Sequence, residues 1–537
     1  MRVRPAVLIF LAAAAPFLVF LPSLSHGWLS WDDPLLLTGN IHYRGLGWDQ
    51  IRWAFSSAPG GAYQPLAFLS YGLDFLIWGM DPRGYHLTNI LLHAANAGLV
   101  YLVARRLFSL GASRDPDGAL DAAALFTALV FAFHPLRVES VSWAAERRDP
   151  LCAFFWLAAV LSYLGARRPG RPSGPLTAVY VLFVAACLSK GVSVTLPLVL
   201  LILDAWPLRR DLLAALREKL PMFLVGLLLG VLAVAAQADA RSAWSWSDHG
   251  LAARLAQSAY ALAFYARKTL WPMGLSPFYE LPVPLRPFEP RFLISSAIVG
   301  LFAFLAWHRR RERPWLAAAG AAYAVILLPV SGLAQAGAQL VADRYSYLSC
   351  LPWAFLAGAG MLAALRRPRL RHAAAAAGVL LLTSLGAACV AQQAHWRDSS
   401  ALWRRVLALD PSCATALVNI GTELAASGRV KLAEESFARA EAADPLCAGL
   451  LDRLALLARG GDGQGEEAGR LRAAIGIRPA CRRARANRAA AWAELGDLER
   501  ARGGFESILA ADPGDESARR NLARLSALSA PSRPQLR

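Results

Sequence analysis

The chain has 537 residues, 56% of them hydrophobic and only 18% charged, and its mean hydropathy is +0.37. An ordinary soluble protein carries about 25% charged residues, so a soluble single-core enzyme is excluded and a polytopic membrane protein is expected. The net charge of +18 falls largely in short Arg clusters between apolar runs, as the positive-inside rule requires; no basic face with interleaved aromatics appears, and no nucleic-acid partner is expected.

Arg2 and Arg4 precede an apolar run that ends near Pro22. No small-residue cleavage site follows, so this reads as an uncleaved first helix with its N-terminus in the cytoplasm. Residues 26–83 form the first external loop, with Trp28, Trp31, Trp48 and Trp53 as interface anchors. The apolar piece from Ala67 to Met80 is too short to cross by itself and is read as a surface helix or part of the next span.

Further spans are expected near 86–104, 120–136, 151–166, 176–189, 194–207, 221–237, 291–307, 315–332, 348–366 and 372–391, about eleven crossings with the first. Arg105-Arg106, Arg167-Arg168, Arg209-Arg210, Arg309 to Arg311 and the cluster from Arg366 to Arg371 then all lie in the cytoplasm. That parity requires the run at 251–271, which carries Arg254, Arg267 and Lys268, to lie in the interface rather than cross. The seven Cys show no CxxC or Cys/His metal spacing, so neither a disulfide framework nor a cysteine-bound metal is expected.

From about 396 the composition turns to Ala, Arg, Glu, Asp and Leu. Asp410-Pro411, Asp444-Pro445, Arg478-Pro479 and Asp512-Pro513 recur every 34 residues. Trp403, Phe437, Leu471 and Phe505 keep the same period, as do Cys413, Cys447 and Cys481. A 34-residue period with a Pro closing each unit is the tetratricopeptide (TPR) helix-turn-helix signature. The expected organisation is a membrane domain over 1–395, a TPR solenoid over 396–526 interrupted by the Gly-rich stretch 458–467, and a disordered tail over 527–537. The fold class is all-α.

Ionisable groups beside a bilayer are costly and mark functional sites. The adjacent pair Asp32 and Asp33 opens the first external loop. Paired carboxylates raise one another's pKa, which suits proton abstraction; a solvated Asp-Pro turn is the plain alternative. His93 lies one turn after Asn89 in the second span, where bundle hydrogen bonding competes with a substrate role. His134, Arg137 and Glu139 follow the third span, and Glu146, Arg147, Arg148 and Asp149 precede the fourth. Lys190 lies between two spans, and Asp343-Arg344-Tyr345 precedes a later one. Arg and Lys gathered on the external face suit an anionic phosphate ligand, and Tyr345 could stack on a sugar. Together these residues point to a lipid-linked anionic substrate handled at the outer leaflet. No P-loop, GxGxxG, GxSxG or HExxH is present.

The order of these pieces resembles the transmembrane-and-TPR protein O-mannosyltransferase (TMTC) family and its bacterial relatives. The resemblance rests on Trp31-Asp32-Asp33, on Asn89 to His93, and on His134-Pro135 with Glu139. It extends through Arg147-Arg148-Asp149, Ser189-Lys190-Gly191, Asp343 to Leu348 and the repeat tail. It implies a GT-C glycosyltransferase fold and transfer from a polyprenyl-phosphate sugar, mannose in the eukaryotic members, to a protein Ser or Thr hydroxyl. Asp32 or Asp33 would be the base. Arg137, Arg147, Lys190 and Arg344 would meet the donor phosphate, and His93, His134, Glu139 and Tyr345 would line the substrate site. The TPR array would capture acceptor protein. The chain departs from the family pattern at Asp343, where Glu is expected, and at Gln64, where Arg is expected. The Arg/Ala bias suggests a bacterial inner-membrane protein with the tail and site in the periplasm and an undecaprenyl-phosphate donor. No cofactor is certain, and a divalent cation stays open. A glycolipid or polysaccharide acceptor, and a non-enzymatic TPR membrane scaffold, are the alternative functions.

Overall fold

A computed structural model describes residues 4–111, 118–168, 170, 172–239, 249–282, 284–335, 337–443, 498–511 and 516–528. The chain divides into two compact units, the first made of 1–241 with 245–402 and the second of 242–244 with 403–537.

In the first unit each expected span falls on helical segments, those at 194–207 and 348–366 being broken, and the helix ends follow local chemistry. α1 (Pro5–Phe20) starts on a proline at its first position, where a missing N–H costs nothing. After it come α2 (Trp48–Ser56) and the short apolar α3 (Pro65–Trp78). α4 (Pro82–Leu110) is capped by Asp81, whose side chain accepts from the Arg83 amide at 3.0 Å. α5 (Ala119–Phe133) stops before Pro135, which is followed by α6 (Val138–Ser142) at a bend of 57°. α7 (Arg148–Ala166), α8 (Thr177–Ser189), α9 (Leu196–Leu203) and α10 (Leu212–Asp239) follow. α11 (Leu251–Leu270), α12 (Pro290–His308) and α13 (Pro314–Leu327) come next. The short α14 (Ser346–Ser349) leads into α15 (Leu351–Leu365), and α16 (Arg371–Gln393) closes the unit's long helices.

Among the described residues, six segments are long and apolar enough to cross a bilayer: Ala6–Ser25, Pro82–Leu110, Ala144–Ala166, Gly191–Leu208, Pro290–His308 and Arg371–Trp396. Two bent pairs, Ala119–Phe133 with Pro135–Ser142 and Asp343–Ser349 with Leu351–Leu365, raise that to eight. The segments 65–78, 177–189 and 314–330 are apolar but shorter. The chain is a multi-pass membrane protein. α11 is not among the candidate spans. It buries Arg254, Gln257 and Lys268 in protein while exposing Leu251, Leu255 and Leu270.

α4 is the central post, touching α1, α5 and α7, and α15 lies on α5. The α5–α15 approach needs Gly358, since a Cβ there would collide with the Thr127 hydroxyl. The two short strands, β1 (Tyr279–Glu280) and β2 (Gln339–Val341), pair antiparallel with Tyr279 opposite Val341. They tie the loop after α11 to the segment that carries Asp343 and Arg344.

α17 (Ser399–Leu409) lies at the division between the units. The second unit's described parts are two helical hairpins. One is α18 (Ala414–Ala426) with α19 (Val430–Ala443); the other is α20 (Leu498–Ala511) with α21 (Glu516–Leu528). α19 and α20 begin and end two 34-residue periods apart. Ala433 and Phe437 in α19, and their equivalents Ala501 and Phe505 in α20, are buried. The period therefore marks one recurring inward face. Helix α21 runs to Leu528, two residues into the expected tail. The repeat positions at 444–497 and 512–513, with Cys447, Cys481 and the Gly-rich 458–467, lie outside the described residues.

Candidate active site

The acidic pair divides into two different environments. Asp33 is fully buried. Its Oδ2 accepts from the Leu29 amide at 2.7 Å, and its Oδ1 accepts from the Trp143 indole N–H at 2.9 Å. Burial pushes its pKa up to about 7, against the pull of those two donors. Asp32 is only partly buried, and its carboxylate takes no hydrogen bond from the described residues. Burial raises its pKa as well, opposed by the positive charges of Arg148 and Arg344. Adjacent residues in this tight turn thus point to opposite sides, one into the protein and one toward the cations.

Those cations are gathered by buried carboxylates. Glu146 is fully buried and is the hub. It accepts from Arg148 at 2.6 and 2.9 Å and from Lys190 at 2.7 Å, with the Arg344 Nε 3.8 Å away. Lys190 also donates to Asp149 at 2.6 Å, and Asp149 accepts from the Ser140 hydroxyl at 2.9 Å. Arg344 pairs with Glu139 at 2.5 Å through its guanidinium and at 2.8 Å through its backbone amide. Side chains from three separated stretches, 139–149, 190 and 344, therefore meet, and Asp32 lies in the field of Arg148 and Arg344. Buried charges persist only when paired in this way. Arg148 and Lys190 keep 16% and 14% of their side chains exposed, so the cluster reaches solvent through its cations.

Aromatic rings border the cluster. Trp31 is partly exposed and stacks on Trp143, centroids 4.7 Å apart at 15°. The Arg344 guanidinium lies 5.8 Å from both of those rings and 5.1 Å from Tyr345. The Lys190 ammonium is 6.0 Å from the Tyr345 ring. Tyr279 donates its hydroxyl to Asp343 at 3.0 Å, beside Arg344.

The structure places the remaining predicted site residues elsewhere. Arg147, expected at the phosphate, is fully buried and faces away from the cluster. It pairs with Asp74, donates to Asn89 at 2.8 Å and to the Tyr85 and Ser70 carbonyls at 2.8 and 3.2 Å, and lies over the Tyr71 ring. It locks α3 and α4 to the loop whose neighbours Glu146 and Arg148 point the other way. Arg137 is also buried; it donates to the carbonyl and hydroxyl of Ser346 at 2.8 and 3.1 Å and lies between the Phe131 and Tyr347 rings. Its guanidinium holds the bend before α6 to the bend before α15.

Neither histidine has a ring nitrogen to spare. His93 is bound by the Tyr347 hydroxyl at 2.7 Å and the Ala132 carbonyl at 3.1 Å. His134 caps the turn at Leu136 and meets the Thr269 carbonyl at 3.0 Å. Both imidazoles are structural ties here. Gln64 is buried, and its amide has no partner among the described residues. Arg148, Glu146 and Asp149, part of the external charge run but given no role of their own by the sequence, join the cluster, as does Trp143, which the sequence did not single out. The one available signal was the charge run 146–149, whose facing alternates in a way no periodicity announces. Among the described residues, no group of three or more His, Cys, Asp or Glu side chains is arranged to hold a metal ion.

No protein-family model matches the chain. It is 38% identical over 141 residues to the protein O-mannosyl-transferase Tmtc1 of Drosophila melanogaster, a match covering 26% of this chain and 15% of that one. It is 28% identical over 421 residues to mouse TMTC4, also a protein O-mannosyl-transferase, covering 68% of this chain and 56% of the relative. The chain thus spans about half the length of mouse TMTC4. Among solved structures, ArnT of Cupriavidus metallidurans bound to undecaprenyl phosphate aligns over 91% of this chain and 80% of its own, at 15% identity. The TM-score of that alignment is 0.37, too low to establish a shared architecture.

Proposed function

We propose, from homology to the TMTC protein O-mannosyl-transferases and from the charge arrangement around Asp32, that this chain is a membrane glycosyltransferase. Its donor is a polyprenyl-phosphate sugar and its acceptor a hydroxyl. Mannose and a protein Ser or Thr are the pair that the relatives' name suggests. The observation that carries the reading is the contrast within the acidic pair. Asp33 is consumed by two donors, while Asp32 is unbonded among the described residues and lies in the field of Arg148 and Arg344.

Asp32 takes the proton of the acceptor hydroxyl as its oxygen attacks the anomeric carbon. The bond from that carbon to the phosphate oxygen breaks, and its electron pair leaves with the lipid phosphate. Arg344, Lys190 and Arg148 neutralise the charge that develops there. At rest Glu139, Glu146 and Asp149 hold these cations in place, so little reorganisation is needed when the phosphate arrives. Arg137, Arg147, His93 and His134 act one layer behind by fixing the loops. The site faces the periplasm of a bacterial inner membrane, the N-terminus is cytoplasmic, and the repeat tail captures acceptor protein.

The test is transfer of label from a radiolabelled polyprenyl-phosphate hexose in isolated membranes. A general base contributes about 10²- to 10⁴-fold, so Asp32→Asn should lose transfer by that factor at unchanged protein level. Asp33→Asn should lower transfer less. Transfer indifferent to Asp32→Asn removes Asp32 from the mechanism. No transfer by the wild type from any of several donor sugars favours the scaffold alternative.

A further inference from the structure

Trp31 occupies an unusual place for a tryptophan in a loop beside a membrane. An interface anchor stands clear of the protein, as Trp48 does at 76% exposure. A packing tryptophan is sealed, as Trp143 is, with Trp396 5.7 Å away and its N–H on Asp33. Trp31 does neither. It is partly exposed, and its plane is set by the stack on Trp143. The Phe278 ring stands nearly perpendicular to it with centroids 5.9 Å apart, and the Arg344 guanidinium lies 5.8 Å from its centre. It directly precedes Asp32. A rigid ring is thus held beside a carboxylate and a guanidinium at once.

A glycosyl phosphate has two chemically unlike halves. The phosphate needs cations. The pyranose presents a face of C–H groups whose hydrogens carry partial positive charge, and the negative face of an aromatic ring attracts them. In glycosyl transfer the anomeric carbon also acquires oxocarbenium character, to which an electron-rich ring is favourable. We propose that Trp31 is the sugar-recognising wall of the site: its indole takes the C–H face of the donor sugar and fixes the anomeric carbon between Asp32 and Arg344. The proposal rests on the glycosyltransferase reading above and adds to it the residue that reads the sugar rather than the lipid phosphate.

The test separates sugar from phosphate. Full-length protein purified in detergent is titrated with undecaprenyl phosphate, undecaprenyl-phosphate mannose and undecaprenyl-phosphate glucose, as wild type, Trp31→Phe and Trp31→Leu. Trp31→Leu should weaken at least one sugar-bearing lipid by about tenfold, leave undecaprenyl phosphate unchanged, and regain part of the loss in Trp31→Phe. Equal weakening of all three lipids would show that Trp31 only holds the loop and would overturn the proposal; so would no change in any of them. Wild-type protein that binds none of the three would overturn the glycosyltransferase reading itself, a result distinct from either.

Discussion

The indole N–H of Trp143 donates to the carboxylate of Asp33 across 2.9 Å and 110 residues of chain. This bond joins the loop after the first span to the loop before α7, and it decides which of two adjacent aspartates faces the cations. Trp143→Phe keeps a ring for Trp31 to stack on but removes the donor. The unmet carboxylate should cost about 1–3 kcal/mol and lower the midpoint of thermal unfolding in detergent. Transfer should fall with it, because Asp32 is no longer held in place.

Arg147 and Arg148 are neighbours with opposite tasks. Arg147→Ala leaves Asp74 buried without its counter-charge, at a cost of about 3–5 kcal/mol, and should remove most folded protein. Arg148→Ala leaves Glu146 still bound to Lys190 at 2.7 Å. It should fold, and lose about tenfold to a hundredfold in transfer rate through weaker stabilisation of the leaving phosphate. Size-exclusion profiles and transfer rates of the two variants, measured side by side, check the division.

Asp33 should make stability pH-dependent in a specific window. Its pKa is about 7 when folded and near 3.8 otherwise. Between those values the folded protein holds a proton that the unfolded chain has released. Stability from this group therefore falls as pH rises through the window and levels off above about 7. The difference in unfolding midpoint between wild type and Asp33→Asn, followed from pH 5 to 8, should show that slope.

Transfer itself should have an acid limb set by Asp32. Burial raises its pKa, and the base works only when deprotonated. The rate should fall as pH is lowered through that raised value, and Asp33→Asn should leave the limb in place. An acid limb that disappears in Asp33→Asn would assign the base to Asp33 instead.

Much of this protein is legible without a structure. Apolar runs of bilayer length must become helices, because lipid offers no partner for backbone N–H and C=O groups. The expected spans are accordingly helical, with ends set by Pro82, Pro135 and similar local features, although the one at 348–366 is broken between Ser349 and Leu351. The 34-residue period likewise fixes an inward face, seen in the buried Phe437 and Phe505. Asp32, Lys190, Glu139 and Arg344 announce themselves as charges that a membrane protein does not keep idly.

What only the tertiary structure decides is which charge faces which. Arg137, Arg147, Lys190 and Arg344 are equivalent in sequence, each a cation between apolar runs. Folding seals Arg147 between α3 and α4 and Arg137 against Ser346, and leaves Lys190 and Arg344 around Glu146 beside Asp32. The physical reason is that a charge is costly to bury until a partner meets it. In this chain the partners lie 41 to 209 residues away, in separate helices whose packing no local pattern records. Composition and periodicity therefore determine where the helices form, and long-range pairing determines which of the charged side chains line the site.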